Sequence, residues 1–281
     1  MNRKIAFIGV GNMANAILNG ITSGDSCLVP WSNVVLFDRD FEKLKKYTDA
    51  GAFVASSLGD AVLSADTIFL CVKPQNFPEI LPIIADVDGV HTKLFVTIAA
   101  GISIKLISEA THFAPVVRVM PNTPMLIGQG VSAICRSENV SDSDFNFVCD
   151  VFSSAGKVIK IQESEMNRII SVTGSSPAYV FMVIKAMLEG AAMQGLLSDG
   201  SSDCGLSEKE LIDSICDTII GSAMLMKAGG KTPDEQIKTV CSKGGTTERA
   251  VAELERYNLY KAFSDAMKKC TDRADELGSY K

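Results

Sequence analysis

Four nearly uninterrupted apolar runs, Ile5-Ala6-Phe7-Ile8, Val34-Val35-Leu36-Phe37, Thr67-Ile68-Phe69-Leu70 and Leu94-Phe95-Val96-Thr97, are separated by stretches of helical periodicity. A strand with one wet face alternates apolar and polar residues. A run apolar at almost every position fits a strand covered on both faces, as in a parallel sheet with crossover helices. Further β-rich runs at 52–54, 116–119, 131–135 and 157–161 continue the pattern, with helices between them such as 12–22 and 41–49. After about residue 162 only helical patterns remain. The chain therefore divides into an α/β domain, 1–162, and an all-α domain, 163–281.

In the second domain a long helix is expected over 177–197, with Pro177 in its first turn, where a missing N–H is harmless. Residues 198–205 read as a loop. Ser207 with Glu210 and Thr232 with Glu235 read as capping boxes opening two further helices, and Gly229-Gly230 closes the first of these.

With 281 residues, 47% of them hydrophobic, the chain can bury a core, and its net charge of −6 offers no basic field for a nucleic acid. The 8 cysteines are scattered and only 2 histidines accompany them, so no metal-ligand set can be spelled out, and a reducing, cytoplasmic setting is expected. The apolar stretch 178–197 carries Lys185 and Glu189 near its middle, which suits a buried or intersubunit helix better than a membrane span.

Gly9-Val10-Gly11-Asn12-Met13-Ala14 follows the first strand directly and opens a helix, the required context for a G-x-G-x-x-A dinucleotide fingerprint. Gly9 permits the turn, Gly11 lets the backbone approach a pyrophosphate, and Ala14 allows close helix–strand packing. Asn12 and Met13 bring the N–H groups of the helix start to the phosphates. Asp38 ends the second strand, where an acid accepts from a ribose 2′-hydroxyl and favours NADH. Arg39 beside it can pair with a 2′-phosphate and favours NADPH. The choice stays open. Val72-Lys73-Pro74 and Ala99-Ala100-Gly101 end two more strands at the same sheet edge, where an open parallel sheet binds ligands. In the helical domain, Gly244-Gly245 flanked by Ser242, Thr246 and Thr247 leads into a helix. It reads either as a cradle of backbone N–H groups for a carboxylate or as an ordinary helix–helix connection.

Arg118-Val119-Met120-Pro121-Asn122-Thr123-Pro124 is less generic. With Val72-Lys73-Pro74-Gln75, Thr173-Gly174-Ser175-Ser176-Pro177-Ala178 and Ser242-Lys243-Gly244-Gly245-Thr246-Thr247-Glu248, in that order along the chain, it resembles the pyrroline-5-carboxylate reductase family. Ser176 stands where the family usually has glycine, and Gly230 where some members have a glutamate. The resemblance implies a Rossmann-type domain followed by a helical dimerisation and substrate domain, and reduction of L-1-pyrroline-5-carboxylate to L-proline by NADPH or NADH as the last step of proline biosynthesis. It also implies cofactor contacts at Met120 and Asn122, substrate contacts at Ser242, Gly244, Gly245, Thr246 and Thr247, and a Thr247 hydroxyl bonded to the ring nitrogen, with the proton coming from solvent or a preformed iminium. A homo-oligomer, a dimer or an assembly of dimers, is implied too, and Met182, Met187, Met193, Met224 and Met226 exceed what a small helical core requires. Two other readings remain: a β-hydroxyacid dehydrogenase using Lys185, and a non-catalytic dinucleotide sensor.

Overall fold

The computed structural model describes residues 3–22, 27–198 and 205–278. Its sheet has eight strands: β1 (Ile5–Ile8), β2 (Val34–Phe37), β3 (Phe53–Val54), β4 (Thr67–Leu70), β5 (Leu94–Thr97), β6 (Val116–Met120), β7 (Gly130–Arg136) and β8 (Gly156–Lys160), ordered β3-β2-β1-β4-β5-β6-β7-β8. Every expected run is a strand, with ends shifted slightly. β1, β4 and β5 are buried at every position, which is why their sequences lack polar alternation. One apolar layer lies on each face, and Phe7 stacks on Phe69 across neighbouring strands at 4.6 Å between ring centroids.

The sheet is parallel except between β6 and β7. The link from Met120 to Gly130 is too short for a parallel crossover, which takes a dozen residues or more, so β7 returns antiparallel. The helix Asp142–Ser153 then carries the chain over to β8, parallel to β7. The helix expected at 41–49 starts as a 3-10 turn, Phe41–Leu44, because the Asp40 carboxylate accepts from the Glu42 N–H and tightens the entry.

Contacts divide the chain into two compact units, Met1–Pro177 with Lys268–Lys281, and Ala178–Met267. This differs from the expected division at 162. Met166, Ile170 and Ala274 are buried in the core on one face of the sheet. Buried Arg118 donates to Asn167 Oδ1 at 2.6 Å, and Asn167 donates to Asp275 Oδ1 at 2.7 Å, tying both returning segments to β6. Helical periodicity alone does not tell which core a helix joins.

The second unit is helical. The helix Ser176–Met193 leads into it and is followed by Glu208–Ala228, Pro233–Val240, Thr246–Arg256 and Leu259–Gly278, the last running back into the first unit. Both expected capping boxes are formed. Of the expected loop, Asp199–Cys204 lie outside the described residues; on its flanks Ser198 N–H donates to the Leu206 carbonyl at 2.9 Å. Glu163–Met193 is long and apolar enough, by length and composition, to cross a membrane.

Candidate active site

The glycine turn is built from two residues with different reasons to lack a side chain. Gly9, at φ +88°, donates to the Phe37 carbonyl at 2.8 Å, and a Cβ there would stand 2.9 Å from Val72 Cγ1 and 3.1 Å from the Cys71 backbone. The fold itself requires that glycine. A Cβ on Gly11 meets nothing within 4 Å. It would project into a cavity of about 430 Å³ lined by Gly9, Gly11, Asp38, Arg39, Val72 and Lys73, among others. A cradle kept open by an absent side chain, at the start of the helix Asn12–Thr22, fits a pyrophosphate. Ala14 is buried, Met13 half-buried and Asn12 exposed. A second cavity, about 420 Å³, adjoins the same helix start and is lined by Gly11, Asn12, Asn15 and three lysines.

Asp38 is placed differently from the expectation of a free ribose acceptor. Its Oδ2 accepts from the Val10 N–H at 2.8 Å and its Oδ1 from the Asp40 N–H at 2.9 Å, with only 15% of the side chain exposed. The carboxylate fastens the glycine turn to the end of β2. Arg39 is exposed and paired with Glu79, whose hydrogen bond and charge raise the guanidinium pKa further. Lys43 lines both cavities, 3.7 Å from Asp38. No motif in the sequence singles out Lys43 within the helical stretch 41–49, and only the fold around the β2 end reveals its position. Cys71 also lines the first cavity, but burial pushes its thiol pKa far up, which makes it a poor nucleophile.

Val72 and Lys73 face the first cavity, and Pro74 opens the short 3-10 turn beyond them. The other edge residues lie elsewhere. Ala99 is buried, Ala100 packs against the sheet core, and a Cβ on Gly101 (φ +78°) would sit 2.7 Å from the Ala274 carbonyl. Gly101 thus admits the end of the last helix. Met120 is buried beside Gly174. Asn122 is spent on the backbone: Nδ2 donates to the Thr173 carbonyl at 3.0 Å, and Oδ1 accepts from the Val131 N–H at 2.8 Å. Its amide joins the edge motif to the π-helical turn Ile170–Gly174.

In the helical unit, the Gly245 N–H donates to the Ser242 carbonyl at 2.9 Å and closes a turn with Gly244 at φ +73°. Gly245 is also the N-cap of the helix Thr246–Arg256, which consequently has no side-chain cap. Ser242, Gly244 and Thr246 are exposed. Half-buried Thr247 lines an apolar cavity of about 360 Å³ with Met226, Ile237 and Val251. Glu248, quoted in the motif without a role, has its Oε2 on the Gly244 N–H at 2.7 Å. Lys185 is exposed and pairs with Glu189 at 3.6 Å on the same helix. Among the described residues no three His, Cys, Asp or Glu side chains gather as a metal site.

Residues 163–277 match the family model described as pyrroline-5-carboxylate reductase dimerisation, and residues 4–101 that described as NADP oxidoreductase coenzyme F420-dependent. The pyrroline-5-carboxylate reductase of Corynebacterium melassecola is 34% identical over 280 residues, covering 98% of this chain and 99% of that one. That of Escherichia coli K12 is 32% identical, covering 99% of each chain. The crystal structure of the Plasmodium falciparum pyrroline carboxylate reductase with NADP bound superposes with a TM-score of 0.87 at 25% identity, covering 99% of both chains. Full-length similarity at this level, joining the glycine turn of one unit to the Ser242–Glu248 loop of the other, decides the matter: the chain belongs to the pyrroline-5-carboxylate reductase family.

Proposed function

We propose that the chain reduces L-1-pyrroline-5-carboxylate to L-proline with NADPH or NADH, as a cytoplasmic homo-oligomer built on the stretch that matches the dimerisation model. The observation that carries this reading is the loop at Gly244: its N–H already donates to a carboxylate oxygen, and the helix behind it has no side-chain cap. The first N–H groups of a helix lack intrahelical acceptors and attract an anion. Here they are offered to the carboxylate of a small substrate, with Ser242, Gly244, Gly245 and Thr246 forming its seat. Thr247, one position further into the helix, hydrogen-bonds the ring nitrogen and fixes the orientation of the imine. A threonine hydroxyl is too weak an acid to protonate that nitrogen, so the ring enters as the iminium, protonated by solvent. The dinucleotide, when bound, supplies the hydride. Gly11, Asn12 and the start of the helix Asn12–Thr22 hold its pyrophosphate, and Asp38 keeps that turn in shape.

The dehydrogenase reading loses its lysine, since Lys185 is exposed and paired along its own helix. Oxidation of NADPH and NADH by the purified protein, followed with L-1-pyrroline-5-carboxylate, tests the proposal. Turnover with this imine and none with 3-hydroxyisobutyrate is expected; the reverse result would overturn it, and binding of the dinucleotide without any turnover would favour the sensor.

A further inference from the structure

The two helices before the substrate loop begin alike. In each, an acid at the third helical position bonds the N–H of its own cap residue: Glu210 that of Ser207, Glu235 that of Thr232. Glu248 holds the corresponding position in the helix Thr246–Arg256, but its cap is Gly245, whose N–H is already committed to the Ser242 carbonyl. The carboxylate reaches one residue further back and accepts from Gly244 at 2.7 Å. A side-chain carboxylate thereby sits on one of the donors assigned above to the substrate carboxylate.

We propose that Glu248 is an internal competitor for the substrate's carboxylate and sets the affinity of the site for anionic substrates. The inference rests on the reading of the loop as the carboxylate seat. One N–H cannot serve two carboxylates, and two such charges at close range repel each other, so Glu248 must swing out before substrate can enter. Gly244 and Glu248 are both exposed within the chain. An occupant present for most of the time lowers the apparent affinity by the fraction of loops left open. An open fraction of about 10–30% raises KM roughly 3- to 10-fold. The contact also discriminates among substrates, because a ligand with no carboxylate gains nothing at this donor and has no reason to displace Glu248.

The test is steady-state kinetics of Glu248→Gln and Glu248→Ala with saturating NADPH. The KM for L-1-pyrroline-5-carboxylate is expected to fall about 3- to 10-fold, more in the alanine variant, with the change carried by KM and not by kcat. L-Proline, which has the carboxylate but no imine, should inhibit both variants at correspondingly lower concentration. A thermal melt establishes that each variant is folded; the glutamine variant, close to the parent in shape, keeps the test decisive if the alanine variant unfolds. A parental or raised KM in folded protein overturns the competition. Thr247→Ala, measured alongside, separates two kinds of failure. If it loses activity while the Glu248 variants keep the parental KM, only the competition is wrong. If Thr247→Ala and Ser242→Ala also leave KM and kcat at parental values, the loop is not the substrate seat and the proposal falls with that reading.

Discussion

Between Ile5 and Phe152 the chain buries most of its large apolar side chains, and Phe7, Phe69, Phe95 and Phe152 have no exposed surface, with Phe113 and Ile127 the most exposed exceptions; between Ala178 and Met267 it leaves Phe181, Met182 and Met193 more than half exposed. Among the described residues of that second unit only Leu211 and Ile215 are buried hydrophobic side chains. Both units have well-formed secondary structure, and the helical one even has two complete capping boxes. Caps and hydrogen bonds shape helices, but burial supplies most of the stability that holds them together. The sheet unit has a core of its own, whereas the helical unit has the surface of one half of a core. An apolar recess of about 280 Å³ lined by Tyr179, Met182, Val183, Leu259 and Phe263 lies on it, within the stretch that matches the dimerisation model. A second copy of the chain is the cover that model implies.

The strongest way to break this comparison is to charge the apolar face. Met182→Asp would place a carboxylate in a dry interface at a cost of several kcal/mol. The expected outcome is a monomer by light scattering, with turnover lost and NADPH affinity retained by the sheet unit. A variant that remains oligomeric would show that this face is not the one covered.

The converse disables the sheet unit and leaves assembly alone. Gly11→Val puts a branched side chain where a Cβ now meets open space, so the melting temperature and oligomer should not change. Dinucleotide affinity should fall roughly 100-fold or more, about 2.7 kcal/mol. Gly9→Ala is its counterpart: φ +88° and the Cys71 backbone oppose a Cβ, and the expected loss is of stability. Equal melting temperatures for the two variants would contradict the distinction between a glycine kept for the fold and one kept for the ligand.

The two units were also unequally legible in the sequence. Strands buried on both faces announce themselves as unbroken apolar runs, and all eight could be placed; the reversal at β7 lay in the short link after Met120. The glycine turn was legible because strand, spacing and helix agree there. Asn122 and Gly101 were harder, because a residue at a strand end can point into a cavity or toward a neighbour far along the chain. Gly101 makes room for Ala274, and Asn122 bonds Thr173. Such contacts leave no periodic trace. In the helical unit, periodicity found the helices but could not say that 163–177 and the last helical turns join the first core, nor that Glu248 reaches back to Gly244.

Thr247→Ala sharpens the comparison inside the helical unit. Losing one hydrogen bond to a charged ring nitrogen should lower kcat/KM by roughly 10- to 150-fold, about 1.5–3 kcal/mol, with dinucleotide affinity unchanged and Thr247→Ser retaining much of the activity. Thr247 lies inside the helix and Gly245 is the cap, so lost capping should not lower the melting temperature. Full activity in the alanine variant would remove Thr247 from the chemistry.

The smallest effect is expected at Asp38, where two roles oppose each other. If the carboxylate served only the ribose, Asp38→Ser would weaken NADH and, by relieving repulsion of a 2′-phosphate near Arg39 and Lys43, tighten NADPH. If it served only the glycine turn, both dinucleotides would lose equally. The structure places both oxygens on backbone N–H groups, and a carboxylate oxygen has a second lone pair to offer. The expected case is the one in which Asp38 serves both. The loosened turn and the lost ribose bond should together weaken NADH about fivefold, near 1 kcal/mol, while for NADPH the loosened turn and the relieved repulsion nearly cancel. Titrating both dinucleotides into the serine variant resolves the three cases. A fivefold loss confined to NADH supports the dual role, equal losses assign Asp38 to the turn alone, and a gain for NADPH returns it to the ribose.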